Sequence, residues 1–279
     1  MATHVRIRKF DPADIKKHRI ILAVGRRGSG KSSLLMDLLY NLRERYDYCL
    51  AMCPTMESAG LLRKCMPESC VYNRFSQAKL ELLVQTAREL AAAGKEKAFL
   101  LVLDDVLYDK SICRSQAFRF LFLNGRHIKI TLFITAQYVV DMPPDLRSNV
   151  DYVFSMKETM IGNRIKLYKN FFGGVVGSFE DFSVLLDRTT QNFECICLDN
   201  TSSTSTIHEC IFWYKANKDI GDFRIGLKVF YDLEGRFRRP EGSLGPSPEE
   251  QEASAAASKR AKLTIIKEEE EGSSQEELR

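Results

Sequence analysis

No stretch of this 279-residue chain is apolar for long enough to cross a bilayer. The longest runs, such as AFLLVL at residues 98–103, fall far short of the roughly 20 residues a membrane helix needs. No leader pattern opens the chain and no internal repeat runs along it. The eight cysteines, at positions 49, 53, 65, 70, 113, 195, 197 and 210, are scattered through apolar segments without the spacing of a disulfide framework. These absences argue against a helical membrane protein, a repeat array and a disulfide scaffold. The expectation is a soluble or peripherally attached protein of a reducing compartment.

Metal-ligand patterns are almost as scarce. One grouping has metal-like spacing: Cys195, Cys197, His208 and Cys210. A hairpin folded about NTSSTST sets position 195 opposite 211 and 197 opposite 209, which turns the two pairs to opposite faces of a sheet. Zinc ligation and core packing are the alternatives, and this register favours packing.

What the chain has is apolar mass and an uneven charge distribution. A hydrophobic content of 44% in 279 residues suffices for one large core. Residues 240–279 hold ten Glu and five Lys/Arg, a net −5 against +9 for residues 1–239. A basic body with an acidic tail suits a polyanionic partner, although an ordinary solvated basic surface would give the same count.

Strand-like and helix-like segments alternate. Strands are expected at IILAV (20–24), YCLAMC (48–53), AFLLVLD (98–104), ITLFITA (130–136), DYVFSM (151–156) and FECICLD (193–199), with helical patterns at 32–45, 57–66, 76–93, 112–124 and 160–171. This alternation predicts an α/β fold, a mostly parallel sheet with helices on both faces. Residues 1–19, carrying Arg6, Arg8, Lys9, Lys16, Lys17 and Arg19, form a basic N-terminal segment that reads as an edge strand, followed by a domain over 20–237. From residue 238 the chain has almost no aromatic or core pattern, the composition of a disordered acidic tail.

The first strand runs directly into GRRGSGKSS. Gly25, Gly30, Lys31 and Ser32 satisfy G-x-x-x-x-G-K-[ST] between a strand and an amphipathic helix, the context a phosphate-binding loop requires. Backbone N–H groups of Gly25, Arg26, Arg27, Gly28, Ser29, Gly30, Lys31, Ser32 and Ser33 would surround an anion, aided by the positive end of the helix dipole. Lys31 reaches the β/γ-phosphates of ATP, and Ser32 joins the shell of Mg2+. Downstream, FLLVLDD ends an apolar strand on two carboxylates. Phosphoryl transfer needs one acid on the metal, here Asp104, and one to polarise the attacking water, here Asp105. ITLFITAQ then ends on Gln137, an amide placed to sense the γ-phosphate and orient that water.

In this order GRRGSGKSS, FLLVLDDV, NGRHIKITLFITAQY, MPPDLRSNVDYVFSMKE and IFWYKA resemble the genome-packaging ATPases of large double-stranded DNA viruses, the poxvirus-type enzymes and their relatives in polinton-like elements, within the FtsK–HerA class of P-loop motors. The resemblance covers about residues 18–230. It implies a RecA/ASCE-like P-loop NTPase that hydrolyses ATP and threads double-stranded DNA into a preformed capsid. It also implies action as a homo-oligomeric ring, with a capsid or portal component as a further partner. In such rings an arginine from one subunit completes the neighbour's site. Arg126 in GRH is the first candidate and Arg147 in DLRSN the second. One departure stands out: the wider class commonly has Glu after the metal-binding Asp, where this chain has Asp105.

A motor that moves along any sequence should touch phosphates, and KETMIGNRIKLYKN offers Lys157, Arg164, Lys166 and Lys169 as a candidate surface. In the tail, SKRAKL at residues 258–263 resembles a short nuclear-import signal. Its alternative is an electrostatic clamp onto the basic body. The corresponding expectation is a host-cell location, nuclear or at a viral factory, with virion association. A nucleotide-dependent assembly or scaffold protein that moves no DNA is the competing function. A small-molecule P-loop kinase is disfavoured by the adjacent aspartates and by the lack of an arginine-rich lid.

Overall fold

A computed structural model describes residues 5–138 and 142–237. Among them, nine strands form one sheet in the order β1-β9-β8-β7-β2-β6-β5-β3-β4. The strands are β1 (Arg8–Lys9), β2 (Ile20–Val24), β3 (Tyr48–Met52), β4 (Val71–Tyr72), β5 (Phe99–Asp104), β6 (Ile130–Ala136), β7 (Tyr152–Ser155), β8 (Glu194–Asp199) and β9 (Ile211–Lys215). From β7 to β4 every pairing is parallel, while β8 runs antiparallel to both β7 and β9. The mostly parallel α/β architecture expected from the alternation is thus present, with an antiparallel extension on one side.

Every residue of β2, β5 and β6 is buried. The reason is that both faces of these central strands are covered, so alternate side chains enter two different cores. Ile20, Leu22 and Val24 join one cluster, and Ile21 and Ala23 join the other. The first cluster is closed by α3 (Gln77–Ala92), α4 (Gln116–Asn124) and α7 (Phe179–Thr189) through Leu80, Val84, Phe118, Leu121, Phe182 and Leu186. The second is closed by α1 (Lys31–Leu42) and α2 (Met56–Arg63). Leu34, Leu35, Leu38, Leu39 and Leu42 form the buried stripe of α1, each contributing roughly 1.5–3 kcal/mol through apolar burial.

Beyond the short elements β4, α5 (Pro144–Arg147) and α9 (Lys228–Phe237), which were not expected either, three features differ from the sequence-based expectation. Helix α7 was not among the expected elements, although Ser178 caps it by accepting from the Asp181 backbone N–H at 3.0 Å. The expected helix at 160–171 is α6 (Ile161–Leu167) continued by a π-helical turn, Tyr168–Phe172. The hairpin register is shifted by three: Cys195 lies opposite Tyr214 and Cys197 opposite Phe212, because a short helix, α8 (Ile207–Cys210), takes up the residues expected to extend the strand. Cys195 and Cys197 are buried in one cluster and Cys210 in the other, so the three thiols do not converge.

The described part of the basic N-terminal segment packs onto this domain, with β1 as the edge strand beside β9 and Phe10 against Tyr152, Phe154, Phe212 and Tyr214. A last helix, α9 (Lys228–Phe237), ties back through Tyr231, whose hydroxyl donates to Cys65 O at 2.8 Å. The acidic tail from residue 238 and its basic cluster at 258–263 lie outside the described residues.

Candidate nucleotide site

The loop at residues 25–30 joins the C-terminal end of β2 to α1, and its backbone follows from its glycines. Gly28 (φ 74°) and Gly30 (φ 101°) occupy the left-handed region where a side chain is costly. A Cβ at Gly25 would come within 2.6 Å of both Met156 Cβ and Ser29 Oγ. Gly30 caps α1 without any side chain, which leaves the first N–H groups of the helix free of an internal partner. Lys31 Nζ donates to Gly25 O at 2.6 Å and Arg26 O at 3.2 Å, so its ammonium is held over the loop. Burial lowers the Lys31 pKa, and the carboxylates of Asp105 and Asp104 act in the opposite direction.

The parallel order puts β6 between β2 and β5, so the ends of these three strands bring Lys31, Gln137, Asp104 and Asp105 to one cleft of about 1190 Å3. Register places Asp104 beside Thr135. The Thr135 hydroxyl donates to Asp104 Oδ1 at 2.5 Å and accepts from the Asp105 backbone N–H at 3.0 Å. Gln137 Nε2 donates to Asp105 Oδ2, joining the proposed sensor to the proposed base. Asp105 itself is left-handed, with φ 55°. Among residues with a side chain, Asp and Asn tolerate this region best, which accounts physically for a shorter acid where the wider class has Glu.

Thr135 carries no recognisable sequence signal, because it is one threonine in an apolar strand and only the pairing of β5 with β6 reveals its place. It is a positioning residue, for Asp104 through the carboxylate and for Asp105 through the backbone. Thr135→Val keeps its shape and removes the hydroxyl. We expect turnover to fall about ten- to a hundredfold, in line with losses on removing a group that orients a ligand. ATP affinity should stay within about threefold of the parent's. Steady-state phosphate release with parallel equilibrium binding checks this, and unchanged turnover would dismiss the positioning role.

The two candidate arginines lie elsewhere. Arg126 sits in the turn before β6, at the end of the sheet opposite the cleft and roughly 20 Å away by strand rise. It is exposed and lines a separate pocket of about 230 Å3 with His18, Arg19, Asp151 and Asn200. Arg147, in α5 (Pro144–Arg147), donates to Met142 O at 2.7 Å. On the candidate DNA surface Lys157, Lys166 and Lys169 are exposed, whereas Arg164 is engaged by Asp187 and by the Glu158 carbonyl.

The loop fits a polyphosphate on the evidence of its own atoms. Gly25 has no room for a side chain, and the left-handed backbone of Gly28 and Gly30 disfavours one. Ser29 Oγ is buried with no hydrogen-bond partner among the described residues. Asp104, 5% exposed, lines the same cleft as Ser32, giving two oxygen donors of the hard type Mg2+ takes.

The sequence model of the family described as Poxvirus A32 protein matches residues 7–207. A frog virus 3 protein, 015R, is 33% identical over 198 residues, covering 70% of this chain and 61% of that protein's length. An invertebrate iridescent virus 3 protein, 088R, is 28% identical over 223 residues, covering 79% of this chain and 85% of its own. Among solved structures, the DNA-packaging ATPase of Sulfolobus turreted icosahedral virus superposes with a TM-score of 0.53 at 18% identity, covering 73% of this chain and 100% of that one. At that identity the likeness is one of fold.

Proposed function

The chain belongs to the poxvirus A32 protein family, and from that premise we propose that it is an ATP-hydrolysing motor that moves double-stranded viral DNA into a preformed capsid. The observation that carries the reading is the convergence of Lys31, Asp104, Asp105 and Gln137 at one cleft, with Thr135 behind the two aspartates, on a fold similar to that of a viral DNA-packaging ATPase.

In this reading the loop amides and Lys31 bind and orient the triphosphate. Ser32 and Asp104 would hold Mg2+, which would supply neutralisation of the phosphate charge. Asp105, positioned by Gln137 and Thr135, accepts the proton of the attacking water. The subunits act as a homo-oligomeric ring with an arginine supplied by the neighbour, and the ring docks on a capsid or portal component. Contacts to DNA run to its phosphates, through exposed lysines such as Lys166 and Lys169. The work is done in the host nucleus or a viral factory, with the basic cluster at 258–263 as the address.

The test is ATP turnover with and without linear duplex DNA. The expected result is severalfold stimulation that fades as salt rises, because phosphate contacts release counterions. ATP hydrolysis indifferent to duplex at every salt concentration would favour the nucleotide-dependent assembly reading instead.

A further inference from the structure

The cleft extends well past the phosphate loop, and its far wall contains an aromatic side chain in an unusual position. Phe193 ends the turn between α7 and β8. It and Asn192 are consecutive left-handed residues, with φ 63° and 50°. Phe193 is 59% exposed, so burial does not account for this backbone cost. A phenylalanine in this conformation is uncommon, and such outliers cluster where a ligand is clamped.

Topology directs the ring to the nucleotide. Because β8 is antiparallel to β7, its first residue, Glu194, lies at the same end of the sheet as the phosphate loop; β9 reverses again, so its last residue, Lys215, does too. The turn at 190–193 and the loop at 216–219 therefore border one side of α1, while Asp104 and Asp105 border the other. Phe193 reaches the phosphate loop itself: a Cβ on Gly30 would lie 3.6 Å from Phe193 Cδ1. Lys218 Nζ stands 4.6 Å from the centre of the ring.

This wall is tied to the helix that carries the loop. Asp37, buried on α1, accepts from Tyr214 OH at 2.5 Å and from the Asn217 backbone N–H at 3.1 Å. A triphosphate whose γ-end faces the carboxylates has its nucleoside directed the other way, across α1 and onto this wall. We propose that Phe193, with Lys218 over one face of its ring, is the stacking platform for the nucleobase of the bound nucleoside triphosphate. The inference rests on the nucleotide-binding reading above and adds the residue that recognises the base.

Calorimetric titration of the full-length protein with two ligands tests it: the non-hydrolysable ATP analogue AMPPNP, and inorganic triphosphate, which has no base. The parent is expected to bind AMPPNP at least tenfold more tightly than triphosphate. Phe193→Ala should weaken AMPPNP about tenfold, the scale of a lost base–aromatic stack, and leave triphosphate unchanged. Phe193→Tyr should restore AMPPNP binding. An alanine variant that weakens both ligands equally, or neither, overturns the inference while the phosphate site stands. A parent that binds neither ligand would remove the nucleotide reading and this inference together.

Discussion

Replacing Lys31 with alanine is expected to abolish ATP hydrolysis and leave the fold intact. The Lys31 ammonium is held between Gly25 O and Arg26 O at the mouth of the cleft, and it belongs to neither hydrophobic cluster. Its loss therefore removes no core volume. It does remove the lysine held over the phosphate loop, where a preorganised cation acts in a site partly shielded from water. Turnover should fall by at least about a hundredfold, a barrier increase of roughly 3 kcal/mol or more. The melting temperature should shift by no more than a few degrees, as for substitutions away from the core. Phosphate release and a circular dichroism melt on the same preparation make the comparison. Turnover above a tenth of the parent's, from a folded variant, would contradict the assignment of the loop. Asp104→Asn should behave similarly, because it removes the carboxylate charge that Thr135 orients toward the metal position.

Arg126→Ala is expected to lose activity and still bind ATP. At the opposite end of β6 from its own cleft, Arg126 has no route to the phosphates in its own subunit, so a catalytic role requires a neighbour. An arginine supplied in trans is worth about 10³ to 10⁵ in turnover, roughly 4–7 kcal/mol, because it meets charge that develops only in the transition state. The decisive measurement mixes this inactive variant with Asp105→Asn. In a mixed ring, an intact Arg126 on the Asp105 variant can face an intact carboxylate on the Arg126 variant. Partial recovery of ATPase activity would place the two residues across a subunit boundary. If co-assembled mixtures never exceed the sum of the singles, Arg126 is not the trans-acting group. Arg147, which donates to its own Met142 carbonyl, would then be tested in the same way.

The sequence alone determined what is local or contiguous. The phosphate loop is legible because its strand, glycines, lysine and helix follow one another directly, and each has a backbone requirement that few residue types meet. The central strands are legible because burial on both faces demands unbroken apolar runs, and the observed β2 and β6 coincide with IILAV and ITLFITA. Asp104, Asp105 and Gln137 stand out because each follows such a run abruptly.

What joins distant segments was decided only by the tertiary structure. The β8–β9 register could not be read, because α8 takes up residues that a simple hairpin count assigns to the turn and strand. Thr135 is an anonymous hydroxyl until β6 is set beside β5, and only then does it meet the Asp104 carboxylate and the Asp105 backbone N–H. In a parallel sheet each strand delivers its two ends to opposite sides of the molecule. For that reason Gln137 reaches the cleft while Arg126, just before the same strand, is carried away from it. The reversal of β8 and β9 has the converse effect and brings Phe193 and Lys218 back to the loop at Gly30. Hydrophobic periodicity sets which face a residue occupies, but strand order and direction set which end of the sheet it reaches, and those depend on the packing of the whole chain.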